Sequence, residues 1–408
     1  MDVSHVTRSL LLTQAAERAD GLEVPAFAML ELTRRCNLDC SHCYAVWDRA
    51  RPEMPTPRIL RLLEELRDEG CLFVTLTGGE PTGHPDFLRI ARRADRLHMA
   101  IQIYSNGARI DEALARDLAR LNLWSVHISI YGARAATHDA ITRRPGSFDR
   151  VVAAARVLRA RDIDVEFSFV IMKPNVRELD EVEALCRDLG VRCGSDYTIT
   201  PRDNGDVSPL ALRLDVDDLA AVMRRKMAKM PFDTAPAPPL DLAAEPGLAF
   251  SCAAGRSTVS INAYGEVYAC ISLPVPVGNV LEAPLRDIWR GSPQLREMRT
   301  APEERLRACR ACDRRDDCPR CPGIAFVEDG DLYGCSREAY RQATVMRAVR
   351  TGAEVPTAEA IELEFASFMA RVNAGEATPL ASACGPRHCA SCPTSRAQPL
   401  REAAESLR

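Results

Sequence analysis

Six short apolar, β-branched runs alternate with amphipathic segments between residues 26 and 230, and this alternation limits the possible fold more than any other feature. The runs occupy residues 26–33, 72–77, 100–105, 124–130, 164–171 and 195–200. Several of the intervening segments open on helix-start residues, at Thr56–Pro57, Ser147, Asn175 and Asp215. Repeated strand–helix units build parallel sheets through right-handed crossovers. The pattern therefore predicts an α/β fold, a partial (β/α)6 TIM-like barrel with its functional residues at the carboxyl ends of the strands.

Changes in composition predict five segments along the chain. Residues 1–25 form an N-terminal segment, and residues 26–230 form the partial barrel. Residues 231–250 are rich in Pro and Ala, which is typical of a linker. Residues 251–345 form a small cysteine-rich α+β domain, and residues 346–408 form a helical tail that also contains cysteines. Helical patterns are predicted near residues 337–350 and 357–373.

Composition also limits the partners and the compartment. The 53 basic and 57 acidic residues nearly balance, so nothing indicates a nucleic-acid partner. No apolar run approaches the roughly 18 residues of a membrane span, and the N-terminus lacks a signal-peptide pattern. We therefore expect a cytoplasmic protein with no membrane partner. Thiols stay reduced in that compartment, so most of the 16 cysteines, which are clustered, are expected to bind metal.

The first cysteine group follows the first strand directly. Cys36, Cys40 and Cys43 form a CxxxCxxC motif within one short stretch of chain. Three thiolates can hold three irons of a 4Fe–4S cluster and leave the fourth iron open. An open metal position is typical of catalytic rather than structural sites. The alternatives are a zinc site, in which His42 could be the fourth ligand, and thiols that bind no metal.

This motif resembles that of the radical S-adenosylmethionine (SAM) superfamily, because Tyr44 follows the triplet at the start of a (β/α) array. The resemblance covers residues 26 to about 230. It implies that the open iron binds the amino and carboxylate groups of the SAM methionine. It also implies reductive cleavage of SAM to a 5′-deoxyadenosyl radical, which abstracts hydrogen from a substrate.

The resemblance further implies SAM contacts at the strand ends: Gly78, Gly79, Glu80, Ser105, Asn106, Ser129, Arg143 and Asn175. The alternatives are a simple turn at residues 77–81, turn or core hydroxyl roles for Ser105 and Ser129, and a helix N-cap at Asn175. Residues 138–148 depart from the family loop IRGxxGSF, because Thr142 stands where that loop has arginine. No catalytic acid or base is indicated.

The second cysteine group reads C–x12–G–x4–C, then CxxC–x5–CxxC and a final cysteine, between residues 252 and 335. Alone it would indicate a zinc ribbon. Downstream of such a barrel it resembles the SPASM extension, which binds auxiliary iron–sulfur clusters. This resemblance assigns an outer cluster to Cys309, Cys312, Cys318 and Cys335, and an inner cluster to Cys252, Cys270 and Cys321. The family usually has three residues between the fifth and sixth cysteines, whereas this chain has two.

The remaining cysteines are less informative. Cys71, Cys186 and Cys193 fall in or beside core elements, so we expect them to be buried packing residues. The tail triplet Cys384, Cys389 and Cys392 could give the inner cluster its fourth ligand, bind another metal, form a redox pair or have no fixed role. Without such a ligand, the inner cluster would keep an open iron.

A radical SAM barrel with a SPASM extension implies an enzyme that modifies a peptide or protein, most often a ribosomally made precursor. The alternatives are a small-molecule enzyme acting on a tetrapyrrole or quinone precursor, a sulfatase-maturase-like activator, and a zinc-binding module that is not an enzyme. Only 35 residues precede Cys36, so we expect any peptide-recognition protein to be separate. An electron donor such as flavodoxin or ferredoxin is also implied. The sequence leaves open the substrate, the bond formed and the oligomeric state.

Overall fold

The computed structural model describes residues 14–48, 50–229, 249 and 252–375, and the chain divides into two compact units. The first unit contains Met1–Leu214, Ala253–Ile271 and Pro276–Ser292. The second contains Asp215–Cys252, Ser272–Val275 and Pro293–Arg408. Most of the proposed linker at residues 231–250 lies outside the described residues, as do Cys384, Cys389 and Cys392.

The first unit contains a nine-stranded sheet with the order β6-β5-β4-β3-β2-β1-β7-β8-β9. Its strands are β1 (Phe27–Thr33), β2 (Phe73–Gly78), β3 (Ala100–Ser105), β4 (Leu123–Ile130), β5 (Val165–Val170), β6 (Arg192–Asp196), β7 (Thr258–Ile261), β8 (Glu266–Tyr268) and β9 (Pro276–Asn279). Neighbouring strands from β6 to β7 are parallel, whereas β8 pairs antiparallel with β7 and β9 with β8. The predicted parallel α/β array is confirmed.

Helices connect these strands and build the second unit. In the first unit they are Thr56–Asp68, Phe87–Arg96, Glu112–Leu118, Ala135–Thr142, Ser147–Arg159, Leu179–Leu189 and Leu285–Gly291. In the second unit they are Val216–Lys229, Pro293–Thr300, Arg307–Arg310, Pro322–Asp329, Arg337–Thr351 and Ala358–Asn373. The last two confirm the helical patterns predicted for this region. None of the described helices is both long and apolar enough to cross a membrane.

The helix Thr56–Asp68 shows why these segments fold as they do. Ile59, Leu62, Leu63 and Leu66 share one face by their spacing, and each is 0% exposed. Burying each of these side chains contributes about 1.5–3 kcal/mol. A proline in the first turn and Gly70, with φ of +93°, mark the two ends.

Alternation along the strands separates a helix-covered face from an inner face. On β4, Val126, Ile128 and Ile130 are fully buried. A Cβ placed at Gly107 would lie 2.9 Å from Ile128 and 3.5 Å from Ala154, so Ile128 faces the helix Ser147–Arg159. The intervening residues of β4 therefore point to the inner face.

The sixth strand differs from its prediction at residues 195–200, because β6 spans Arg192–Asp196 and pairs with β5. The Asp196 carboxylate accepts hydrogen bonds from the backbone N of Tyr197, at 2.7 Å, and of Thr198, at 3.1 Å. This local turn ends the strand before the β-favouring residues that suggested it.

Candidate active site

Cys36, Cys40 and Cys43 lie together on the chain segment that follows β1. Burial raises the pKa of the Cys40 thiol, and the nearby Cys43 and Cys36 raise it further. Burial also raises the pKa of Cys36, and the nearby Glu80 and Cys43 raise that pKa further. Cys36 is exposed, and Cys40 and Cys43 are half-buried. Closely spaced thiols that resist ionisation fit a cationic metal centre, because metal binding deprotonates a coordinating thiol.

The three thiols are not arranged around a single point. In the described part of the chain, no three His, Cys, Asp or Glu side chains are placed to hold one metal ion. In a 4Fe–4S cluster each thiolate binds a different iron, so the ligands need not converge on one ion. The donor set therefore fits a cluster.

A neighbouring helix supports this loop. The backbone N of Asp39 donates to the Thr142 carbonyl at 3.1 Å, and that of Ser41 donates to the Ile141 carbonyl at 3.0 Å. Arg143 follows in the left-handed region, with φ of +54°, and its guanidinium lies 3.1 Å from the Asp39 carboxylate. The structure thus places Arg143 against the cysteine loop, and its contact with SAM stays a prediction.

Gly78 and Gly79 bring the end of β2 against the same loop. Gly79 N donates to the Thr33 carbonyl at 2.7 Å, and Glu80 N donates to the Arg35 carbonyl at 2.9 Å. A Cβ at Gly78 would lie 2.2 Å from the Thr33 oxygen, and one at Gly79 would lie 2.4 Å from the Arg35 oxygen. Only glycine allows this approach, and the surface it meets is the chain's own backbone.

Glu80 is buried beside these glycines, and its carboxylate hydrogen-bonds polar groups at the end of β3. It accepts hydrogen bonds from Ser105 Oγ at 2.8 Å, Asn106 N at 2.7 Å, and both the backbone and the hydroxyl of Thr82. Burial raises its pKa, and these hydrogen bonds oppose the rise. All four donors are neutral, so the buried carboxylate can still stabilise a cationic ligand. The structure thus brings Glu80, Ser105 and Asn106 together.

Asn175 and Ser129 have structural partners at the ends of β4 and β5. The Asn175 amide is fully buried; it accepts from Met172 N at 2.7 Å and donates to the Tyr131 carbonyl at 3.1 Å and the Val170 carbonyl at 2.9 Å. Asn175 occupies the N-cap position of the short 3-10 helix Val176–Glu178, but its side chain makes no capping bond there. An interaction with Ser129 opposes the rise that burial causes in the pKa of Tyr131. Their SAM contacts stay predictions.

Two residues contact the cysteine loop although no sequence pattern indicated them. An interaction with Tyr131 lowers the pKa of the Cys40 thiol against the effect of burial, and the Tyr131 ring packs edge-on against His42 at 4.5 Å. Arg202 donates to the Cys43 carbonyl at 2.9 Å. Burial, with the charge of Arg202, lowers the pKa of His42 to about 4. A polar turn directly after the sixth strand was the available signal for Arg202.

A buried ion-pair network lies beneath the same loop. Arg34 contacts Glu31 of β1 at 2.7 Å and also pairs with Asp203. The Tyr44 hydroxyl donates to the second oxygen of Glu31 at 3.2 Å. The aromatic residue after the triplet therefore anchors the loop to β1.

Four cysteines are gathered in the second unit. Burial raises the pKa of Cys335, and the nearby Cys309, Cys312 and Cys318 raise it further. Burial and two of these neighbours also raise the pKa of Cys318 to about 12. This is the set that the resemblance assigned to an outer cluster.

The other cysteines belong to both units. Cys252 and Cys321 belong to the second unit and Cys270 to the first, so their assignment to an inner cluster stays a prediction. Cys71 and Cys186 are buried as expected. The same expectation for Cys193 is wrong, because this residue is exposed on the edge strand β6.

Three thiols on one loop, next to a buried carboxylate at the carboxyl edge of a parallel sheet, fit an iron–sulfur site beside a cationic ligand. A family model described as the radical SAM superfamily matches residues 30–189, and one described as an iron–sulfur cluster-binding domain, SPASM, matches residues 252–313.

Known proteins share this organisation. The chain is 34% identical over 315 residues to the mycofactocin maturase MftC of Mycobacterium tuberculosis, which covers 73% of this chain and 78% of MftC. It is 27% identical over 328 residues to the AdoMet-dependent heme synthase of Methanosarcina barkeri, and the match covers 75% of this chain and 94% of that protein. The fold matches that of Streptococcus suis SuiB bound to the precursor peptide SuiA, with a TM-score of 0.56 and 17% sequence identity. The match covers 74% of this chain and 72% of SuiB.

The chain therefore belongs to the radical SAM superfamily and carries a SPASM domain. It is an enzyme whose cofactors are SAM, a 4Fe–4S cluster and auxiliary iron–sulfur clusters. The alternative of a zinc-binding module without enzymatic activity is wrong.

Proposed function

We propose that this enzyme modifies a ribosomally made peptide, by crosslinking or oxidising one of its residues. The observation that carries the proposal is the 34% identity to a mycofactocin maturase over 315 residues. When bound, the 4Fe–4S cluster and SAM supply a 5′-deoxyadenosyl radical that takes a hydrogen atom from the substrate.

In this proposal the residues at the strand ends hold the cofactors. Cys36, Cys40 and Cys43 bind three irons of the cluster. The Glu80 carboxylate accepts a hydrogen bond from the ammonium group of the SAM methionine. Its burial among four neutral donors supports this role, because they leave its negative charge unpaired. Asn106 orients the cysteine loop through its contacts with Cys36 and Asn37.

The cysteines of the SPASM region would hold auxiliary clusters, whose redox chemistry would take up the electron released when the substrate radical is oxidised. Cys309, Cys312, Cys318 and Cys335 hold the outer cluster, and Arg320 favours the thiolate of Cys309 by lowering its pKa against the effect of burial. A flavodoxin or ferredoxin reduces the enzyme, and a separate protein delivers the peptide.

The test is an anaerobic reaction of the reconstituted enzyme with SAM, a reductant and the synthetic peptide encoded by any short open reading frame found beside its gene. We expect 5′-deoxyadenosine release that depends on the peptide, together with a peptide mass change such as the loss of two hydrogen atoms. The variant with Cys36, Cys40 and Cys43 replaced by Ala is the matched control. An unmodified peptide that leaves 5′-deoxyadenosine release unchanged would contradict the proposal.

A small-molecule substrate is the second candidate. It is favoured by the similarity to an AdoMet-dependent heme synthase, which the chain matches over 94% of that protein's length. The same assay with a tetrapyrrole precursor in place of the peptide distinguishes the two. Product formed from the tetrapyrrole alone would favour this second function.

A further inference from the structure

The inner face of the parallel sheet carries a continuous set of polar side chains that the cofactor site does not use. We call this set the polar belt; it consists of Thr75, Gln102, Ser125, His127, Glu166 and Arg192. The strand register places these residues side by side: Gln102 lies opposite Thr75 and Ser125, and His127 lies opposite Glu166, which lies opposite Arg192. The belt therefore crosses five neighbouring strands.

Hydrogen bonds join the first part of the belt. Thr75 Oγ1 donates to Gln102 Oε1 at 3.0 Å, and Gln102 Nε2 donates to Ser125 Oγ at 3.1 Å. The same amide nitrogen lies 2.8 Å from His127 Nε2. The other ring nitrogen of His127 is 3.6 Å from Glu166 Oε1. These contacts hold the imidazole in one orientation.

The charges of the belt are paired within the chain. Glu166 forms an ion pair with Arg192, which also contacts Asp164 at 3.2 Å. Burial, with the charge of Arg192, lowers the pKa of His127 to about 4, so its imidazole is neutral at physiological pH. A charged ligand would find no unpaired opposite charge among these groups.

Tyr104 is the accessible member of this region. It lies opposite His127 on β3, and the two rings stack at 4.7 Å with an angle of 30° between their planes. Although β3 has strands on both sides, Tyr104 is 37% exposed. It also directly precedes Ser105 and Asn106, which contact Glu80. Its exposed surface is therefore next to the proposed SAM site.

Two hydroxyl groups and an aromatic layer complete the surroundings. Within the described residues, no hydrogen-bond partner is found for the hydroxyls of Tyr104 or of Ser168, the inner-face residue of β5 that follows Glu166 by two. Towards the amino ends of the strands, Phe73 stacks on Phe27 at 5.0 Å and meets Trp124 edge-on at 5.4 Å. The inner face thus offers the Tyr104 ring and two hydroxyl groups towards the carboxyl ends of the strands, and this aromatic layer towards their amino ends.

We propose that Tyr104 and the polar belt form the subsite for the substrate side chain, and that this subsite takes a planar, uncharged group. The inference rests on the proposed function for its substrate being a peptide. The group stacks on the exposed part of Tyr104, and the hydroxyls of Tyr104 and Ser168 bond its polar edge. His127 is a positioning residue that holds the Tyr104 ring.

The test uses three small probes with the SAM-bound holoenzyme: N-acetyl-tyrosine amide, N-acetyl-valine amide and N-acetyl-lysine amide. Anaerobic equilibrium dialysis should show the tightest binding for the tyrosine probe. Tyr104→Leu should weaken that binding about two- to tenfold, as expected for a lost aromatic pair. Tyr104→Phe, which keeps the ring, should lose less affinity, and Leu363→Ala, at an exposed site on the helix Ala358–Asn373, should lose none.

Iron content and SAM binding are measured for every variant to verify folding. If Tyr104→Leu does not fold, Ser168→Phe is the second variant, because it fills the inner face from β5 and should remove the preference for the tyrosine probe. Equal or undetectable binding of the three probes by the wild type would overturn the subsite, as would an unchanged preference in the folded variants. A confirmed subsite with no peptide modified would instead count against the proposed function alone.

Discussion

The side-chain amide of Asn106, at the end of β3, lies 3.6 Å from the Sγ of Cys36 and 3.0 Å from the side-chain oxygen of Asn37. The Asn106 backbone N also donates to Glu80 at 2.7 Å. One residue therefore contacts both the proposed cluster ligand and the proposed SAM ligand. This relationship links the two halves of the cofactor site.

Replacing Asn106 with Leu should make the first cluster harder to reduce. Reduction adds negative charge, and an amide donor next to a ligating sulfur stabilises that charge. The midpoint potential, measured by EPR-monitored redox titration, should therefore shift to a more negative value. Asn373→Leu, at an exposed helix end in the second unit, is the control. A potential equal to that of the wild type would show that the amide does not act on the cluster.

Iron analysis tests the assignment of the cysteine groups. The reconstituted protein should hold about twelve irons if all three clusters are of the 4Fe–4S type. Replacing Cys36, Cys40 and Cys43 with Ala should remove about four irons and abolish SAM cleavage. The matched variant lacking Cys309, Cys312, Cys318 and Cys335 should also lose about four irons but keep the EPR signal of the first cluster. An unchanged iron content in either variant would contradict that group's assignment.

Gly79→Ala should disturb the first cluster without affecting the outer one. The new Cβ would lie 2.4 Å from the Arg35 oxygen and 2.7 Å from the Arg34 oxygen, so the cysteine loop must move. We expect lower iron loading of the first cluster by Mössbauer spectroscopy. Gly291→Ala is the matched control, because nothing lies within 4 Å of its added Cβ. Full loading in Gly79→Ala would mean that the loop accommodates the methyl group.

The sequence predicted the parallel array and the groups at its edge because both depend on local patterns. The Gly-Gly-Glu and Ser-Asn motifs directly follow strands, so the sheet brings them to one edge. The partners of these residues depend on tertiary structure. The two glycines approach the backbone at residues 33–35, and Asn175 binds the ends of two strands. The polar belt likewise depends on which side chains the register of β2–β6 places together.

Glu80→Gln should weaken SAM binding while leaving the iron content intact. The amide keeps the shape of the side chain, but it removes the negative charge proposed to meet the methionine ammonium. A charge-assisted hydrogen bond contributes about 1.5–3 kcal/mol, which corresponds to about a ten- to 150-fold change in the dissociation constant. Equilibrium dialysis with labelled SAM measures this change. A change below about threefold would assign Glu80 to the fold of the turn alone.

His138 should make the stability of the first unit depend on pH. Its imidazole is fully buried, Tyr131 N donates to its Nδ1 at 3.1 Å, and no partner for its Nε2 is found in the described part of the chain. Burial lowers its pKa to about 4, against the opposing charge of Asp139. An unfolded histidine titrates near 6.5, so between about pH 6.5 and 4 the unfolded state binds a proton that the folded state excludes. Stability is therefore lost as the pH falls through this window.

One such proton changes the unfolding free energy by up to about 1.4 kcal/mol per pH unit. His138→Leu should remove this contribution and make the loss of stability with falling pH shallower. Hydrogen–deuterium exchange of the helix Ala135–Thr142, corrected for intrinsic rates, measures the effect at pH 6.5 and 4.5. His98→Asn is the control, because His98 is exposed and its φ of +60° suits asparagine. Equal pH dependence in the wild type and His138→Leu would show that His138 is protonated in the folded protein.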